Sequence, residues 1–153
     1  MRLVEIIVVD EHCHIVMELL EGKTLKEYLG HEKKLDEKRA VYILTKILEG
    51  YKILKANRII HRDLKPDNII FATDPLSHPE HLTPKIIDFG YCEMEKLAHA
   101  KPKMYYNVGS PRYMSPEAYS NNQYSEKSDV WAIGIIFYEM LTGTNFDKGR
   151  TVP

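Results

Sequence analysis

Two short β-branched, apolar runs open the chain, "LVEIIVV" at 3–9 and "HIVMELL" at 14–20, joined by the polar, turn-like "DEHC". That pattern predicts an antiparallel hairpin. In "EGKTLKEYLG" Thr24 can cap a short helix, Glu27 three residues on completes a capping box, and Gly30 is expected to stop it. The clearest helical period runs over 36–56, where Val41, Leu44, Ile47, Leu48, Tyr51 and Leu54 recur on one face while Lys38, Lys46, Glu49 and Lys52 point elsewhere. Short strands are predicted in "RII" (58–60), "NIIFA" (68–72) and "KIIDF" (85–89). The intervening "TDPLSHPEHLTP" (73–84) holds three prolines and reads as an exposed loop.

From Tyr91 to Arg112 neither period is sustained, which predicts a long loop of a kind that is usually functional in a compact domain. "MSPEAY" then starts a helix, with Ser115 as N-cap and Pro116 in the first helical position. A last helix spans about 125–142, capped by Ser125. Its second half is apolar on nearly every face, the mark of a buried central helix. There are no internal repeats and no low-complexity segments.

Composition narrows the picture by exclusion. The 153 residues are enough for one ordinary domain with a real core. A net charge of -1 with 28% charged residues shows neither the basic excess of a nucleic-acid binder nor an acidic tail. The longest apolar run, "VWAIGIIFYEML" at 130–141, is too short for a bilayer and contains Glu139. The N-terminus lacks the pattern of a signal peptide. Cys13 and Cys92 form no C-x-x-C pair, so a zinc site or disulfide framework is not expected and both read as free, unreactive thiols. His12, His14, His78 and His81 read as exposed turn residues rather than metal ligands. The expectation is a soluble, intracellular, cytoplasmic chain with no nucleic-acid or membrane partner.

The candidate chemistry sits in "HRDLKPDN" (61–68) and "KIIDFG" (85–90). Asp63 and Asn68 share a turn, and Asp88 ends a strand ahead of Gly90. Two carboxylates, an amide and Lys65 converging on one point suit a hard divalent cation that bridges phosphates. Phosphoryl transfer needs mainly positioning and charge neutralisation, which such a set supplies in kind.

These two runs, followed in order by "SPE" at 115–117, resemble the eukaryotic protein kinase family, and Lys65 two residues after Asp63 resembles its serine/threonine type. The resemblance covers essentially the whole chain. It implies a partial α+β kinase-like fold, with the end of the N-lobe and the hinge over 1–20 and the mainly helical C-lobe, through its central helix, over 21–153. It implies ATP and Mg²⁺ as cofactors and a protein Ser/Thr hydroxyl as acceptor. Asp63 would be the catalytic base, Lys65 would sit by the γ-phosphate, and Asn68 and Asp88 would hold Mg²⁺. Met17 would guard the back of the adenine pocket. Glu18 and Leu20 would offer hinge backbone to adenine, and Ile70 and Leu25 would lie beneath the ring. His61, Phe89 and Ile6 resemble members of the family's regulatory apolar stack, and Asp129 would anchor the catalytic loop. Ser110 stands where a Thr contacts the catalytic Asp and Lys in such kinases.

The chain also departs from the family pattern. The Gly-rich loop over the phosphates, the strand Lys and the helix Glu that pairs with it would all precede "RLVEIIVV", and no G-x-G-x-x-G occurs in the sequence. Losing one preorganised donor lowers rate by ~10²–10³, so little or no turnover is expected from these residues alone. Glu117 is expected to lack the Arg that pairs with it in later helices. Arg62 resembles the residue of kinases whose loop is ordered by phosphorylation, implying an upstream activating kinase. Yet no Ser or Thr lies between Tyr91 and Val108. The options are a modified tyrosine (Tyr91, Tyr105 or Tyr106), a role for Ser110, substitution by Glu93 or Glu95, or a loop needing no modification. The functional alternatives to a kinase are a non-catalytic, kinase-like binding module and a fragment that does not fold alone.

Overall fold

Asp10 and Glu11 both take positive φ, at 44° and 63°, so the chain reverses within two residues. This is the turn geometry whose twist matches paired strands. It joins β1 (Leu3–Val9) to β2 (His12–Met17), with Val9 opposite His12 and Ile6 opposite Ile15. The computed structural model describes residues 1–94 and 108–146. β2 stops at Met17, short of the expected Leu20, and the hairpin's apolar side chains stay exposed on both faces.

Thr24 caps α1 (Leu25–Glu32) through the anticipated capping box. Gly30 does not end the helix. The left-handed turn falls at Lys33, whose N–H donates to Leu29 O at 2.8 Å. A single Gly weakens a helix by only about 1 kcal/mol, too little to stop one held by packing. Asp36 caps α2 (Glu37–Ala56). Its buried stripe is Ala40, Ile43, Ile47, Tyr51 and Leu54, while Val41 and Leu48 are 44% and 37% exposed. The sequence carries two overlapping apolar stripes, and the one covered by the neighbouring elements is displaced by about one residue from the expected face in the first half.

After α2 come β3 (Ile59–Ile60), a 3₁₀ turn at Pro66–Asn68, β4 (Ile69–Phe71), β5 (Pro84–Ile86) and β6 (Glu93–Met94). β4 pairs antiparallel with β5, and β3 with β6, Ile60 lying opposite Glu93. β6 falls inside the stretch read as loop, since two residues are too few to show a period. The 73–84 segment is not wholly exposed: Pro75 and Leu82 are buried.

Ser115 caps α3 (Pro116–Asn121) by accepting from Ala118 N–H. Ser125 caps α4 (Glu126–Thr142), which ends at Gly143 in the left-handed region. α4 is buried on one side rather than all round: Ala132, Ile133, Ile136 and Met140 face the core, while Val130 and Tyr138 are exposed. The core lies between α1, α2, α4 and the β4–β5 pair, with Tyr28 edge-on to Phe71 at 5.3 Å. Each fully buried Leu, Ile or Phe there contributes about 1.5–3 kcal/mol. Helices gathered beside small antiparallel sheets make this an α+β fold. No helix among the described residues is long and apolar enough to cross a membrane.

Candidate active site

The site is built on the irregular backbone between β3 and the 3₁₀ turn. Such backbone needs partners for its polar groups, and α4 supplies them. Asp129, buried in the first turn of α4, accepts from His61 N–H at 2.8 Å and from Arg62 N–H at 3.0 Å. Burial raises the Asp129 pKa above the usual carboxylate value, while these two bonds pull it down. His61 is fully buried. Its Nε2 donates to Ile87 O at 3.1 Å, and its Nδ1 accepts from Asp63 N–H at 3.4 Å, which defines a neutral imidazole. Burial holds its pKa below the ordinary value.

These contacts present Asp63, itself only 4% exposed. Asp63 Oδ2 accepts from Lys65 Nζ at 2.8 Å and from Asn68 Nδ2 at 3.1 Å. Lys65 Nζ also donates to Ser110 Oγ at 2.9 Å. Asn68 Nδ2 makes a second bond to Asp63 O at 2.9 Å. Asp63 Oδ1 is buried without a hydrogen-bond partner. A buried carboxylate oxygen with nothing to accept is costly unless a ligand completes it, and it is suited to take a proton from a hydroxyl.

Asp88 lies beyond β5 at φ 61° and is exposed, one carboxylate oxygen accepting from Gly90 N–H at 3.2 Å. Phe89 is 41% exposed, its ring 5.4 Å from that of His61. Two of the three residues of the expected apolar stack therefore meet. Ile6 remains exposed on the hairpin. No cluster of three or more His, Cys, Asp or Glu capable of holding a metal occurs among the described residues. Mg²⁺, however, takes only one or two protein oxygens and leaves the rest to water and phosphate. Asn68, with its nitrogen committed to Asp63, and the exposed carboxylate of Asp88 fit that requirement.

At the positions expected to meet adenine, Glu18 N–H is engaged with Arg2 O at 3.0 Å, so its carbonyl is the group left to offer. Both Glu18 carboxylate oxygens lie 2.8 Å from Lys85 Nζ, and this bond is the main cause of its lowered pKa. Leu20 is half-buried, next to a Glu21 N–H bonded to Ala72 O at 3.3 Å. Ile70, half-buried on β4, bridges to Thr24. Met17 is exposed. Leu25 is fully buried in the core and has no surface left for a ring.

Arg62 makes an ion pair with Glu93 at 2.6 Å, donates from Nε to Tyr91 O at 2.6 Å, and lies 5.6 Å from the Tyr124 ring centroid. Tyr124 OH in turn donates to Val108 O at 2.6 Å. Glu117 is not without partners: the Ser115 hydroxyl is the first cause of its lowered pKa, and Ser128 Oγ donates to it at 3.4 Å. These hydroxyls lie within eleven residues and serve where a distant Arg was anticipated. Tyr105, Tyr106 and Glu95 lie outside the described residues. Burial pushes the Cys92 thiol up to about 12, which leaves it protonated and unreactive.

Gly109 and Tyr124 also adjoin Arg62, and no motif in the sequence assigns them to the site. Gly109 has φ 102°, and a Cβ there would stand 2.4 Å from Arg62 O. The glycine directly before Ser110 was the only signal available. A groove of about 460 Å³, which no sequence pattern marks, lies beside Lys65 and Ser110, lined by Lys26, Asp67, Arg112 and Glu139 among others.

Residues 1–151 match the family described as "Protein kinase domain". Among curated relatives, the chain is 36% identical over 140 residues to serine/threonine-protein kinase atg1 of Dictyostelium discoideum, covering 92% of this chain and 20% of the relative. It is 36% identical over 146 residues to serine/threonine-protein kinase SKM1 of Saccharomyces cerevisiae (90% and 21%). It is 33% identical over 145 residues to serine/threonine-protein kinase unc-51 of Caenorhabditis elegans (93% and 17%). The chain therefore belongs to the protein kinase family. It spans about a fifth of the length of these relatives.

Proposed function

We propose that this chain carries the catalytic loop of a protein serine/threonine kinase, which transfers the γ-phosphoryl group of ATP to a hydroxyl of a protein substrate inside the cell. The observation that carries the reading is Lys65 Nζ shared between Asp63 Oδ2 and Ser110 Oγ, beside an Asp63 Oδ1 that has no partner. In this reading Asp63 Oδ1 accepts the proton of the substrate hydroxyl. The hydroxyl oxygen forms a bond to the γ-phosphorus, and the bond from phosphorus to the β–γ bridging oxygen breaks. Lys65 neutralises charge on the transferred group and orients Asp63. Asn68 and Asp88 would hold Mg²⁺, which when bound neutralises the phosphate oxygens. The carbonyl of Glu18, the backbone of Leu20 and the side chain of Ile70 would receive adenine. Residues 1–20 then form the edge of the smaller lobe and the hinge, and the remainder belongs to the larger lobe.

The test is phosphoryl transfer from labelled ATP to a generic basic protein, by the protein purified at its native length. Asp88→Asn is expected to abolish transfer and to remove the rise in Tm produced by Mg-ATP. Equal transfer by wild type and Asp88→Asn would sink the reading. A Tm shift without transfer would favour the non-catalytic binding module.

A further inference from the structure

The groove of about 460 Å³ runs from α1 past the 3₁₀ turn to the end of α4, and Lys65 and Ser110 are part of its lining. Lys65 holds Asp63, so a protein segment that presents a hydroxyl to Asp63 lays its flanking residues in this groove. Among the described residues, the charged lining is Lys26, Lys33, Lys65 and Arg112 against Asp67 and Glu139. Both acids are withdrawn from a substrate. Glu139 is buried, and its Oε2 accepts from Tyr113 OH at 3.0 Å. Asp67 is the more open of the two, its side chain 38% exposed, but Lys26 Nζ lies 2.6 Å from its Oδ1. Lys33 is exposed and donates to the neutral Gly30 O at 2.6 Å, which leaves its positive charge in place. Arg112, also exposed, donates to Asn145 Oδ1 at 2.9 Å. The surface offered to a substrate is therefore cationic.

We propose that Lys26 is a specificity-determining residue: by masking Asp67 it makes this groove select protein segments with acidic residues beside the acceptor hydroxyl and disfavour those with basic ones. The inference rests on the kinase reading above and names the charge of its substrate. Without Lys26, the Asp67 carboxylate stands open in the groove and attracts Arg or Lys. With Lys26 in place, a basic segment must displace its ammonium and lie beside Lys33 and Arg112, like charge against like. An acidic segment meets those cations directly. The Lys26–Asp67 pair is exposed, so its effect is screened by solvent and salt. A basic protein is therefore still phosphorylated, at a lower kcat/KM.

The experiment uses the native-length protein and three peptides of equal length, each with a single serine flanked on both sides by Glu, Ala or Arg and otherwise identical. Values of kcat/KM are measured at one low ionic strength for wild type, Lys26→Ala and the double variant Lys26→Ala/Asp67→Asn. Lys26 is exposed on α1 and Ala is a good helix former, so the single variant keeps the fold. Wild type is expected to use the Glu peptide about tenfold better than the Arg peptide, with the Ala peptide between them. Lys26→Ala is expected to bring that ratio to about one or below, through a lower KM for the Arg peptide. The double variant has no carboxylate to unmask and is expected to lose this gain. Equal use of the Glu and Arg peptides by wild type, or a preference for Arg, would overturn the inference and leave the kinase reading intact. So would transfer to a basic protein with none to the Glu peptide. A ratio unmoved in Lys26→Ala, or a gain that persists in the double variant, would overturn it too. If wild type transfers phosphate to no peptide and to no basic protein, the kinase reading fails and this inference fails with it.

Discussion

Lys65 Nζ lies 2.9 Å from Ser110 Oγ, which ties the loop at 61–68 to the segment that follows residue 108 across forty-five positions of sequence. The same ammonium lies 2.8 Å from Asp63 Oδ2, so Ser110 acts on Asp63 through Lys65. Ser110→Ala removes one charge-assisted bond, about 1.5–3 kcal/mol, and kcat for protein phosphorylation is expected to fall about tenfold or more. Ser110→Thr keeps the hydroxyl and should retain most of the rate. Steady-state kinetics on both variants checks this, with KM for ATP expected to change little.

Asp129 is the support beneath the loop. Asp129→Ala strands the N–H groups of His61 and Arg62, both bonded to its carboxylate. Each stranded buried donor costs about 1–3 kcal/mol, so a loss of about 3 kcal/mol is expected in denaturant unfolding. Asp129→Asn keeps one acceptor oxygen and should lose less.

Gly109 lets the chain pass over Arg62. Its φ of 102° is a conformation that L side chains rarely adopt, and a Cβ would press against Arg62 O. Gly109→Ala is expected to destabilise by about 1–3 kcal/mol and to lower kcat by displacing Ser110. A variant with wild-type stability and rate would show that this approach is not needed.

Acidification should weaken the fold through His61. Burial holds its folded pKa below the unfolded value of 6.5. The unfolded state then binds a proton that the folded state refuses. Stability from this group is present above pH 6.5 and is lost as pH falls from there through the folded pKa. Asp129 acts with the opposite sign: its raised pKa favours the folded state at lower pH, near and below the ordinary carboxylate value of 3.8. Tm is therefore expected to drop between about pH 7 and pH 5. His61→Phe should flatten that drop while lowering Tm at neutral pH, since Ile87 O loses its donor. Scanning calorimetry across the range reads both effects.

The sequence by itself determined what short-range bonds decide. The caps at Thr24, Ser115 and Ser125 close over two or three residues, so each was legible as a residue pattern and each is present. The run at 61–68 likewise placed Asp63, Lys65 and Asn68 on one turn, because five residues of backbone hold them within hydrogen-bonding reach. Tertiary structure decided which face of α2 is buried, because two apolar stripes satisfy the same period and the packing of β5, α4 and β3 distinguishes them. It likewise decided that Gly30 stays inside α1, that α4 keeps an exposed side, and that Glu117 finds Ser128. The contact of Arg62 with Glu93, thirty-one residues apart, exists because β3 meets β6. Local hydrogen bonds form from neighbouring residues alone, whereas the partner of a buried charge is set by whichever element the fold brings against it.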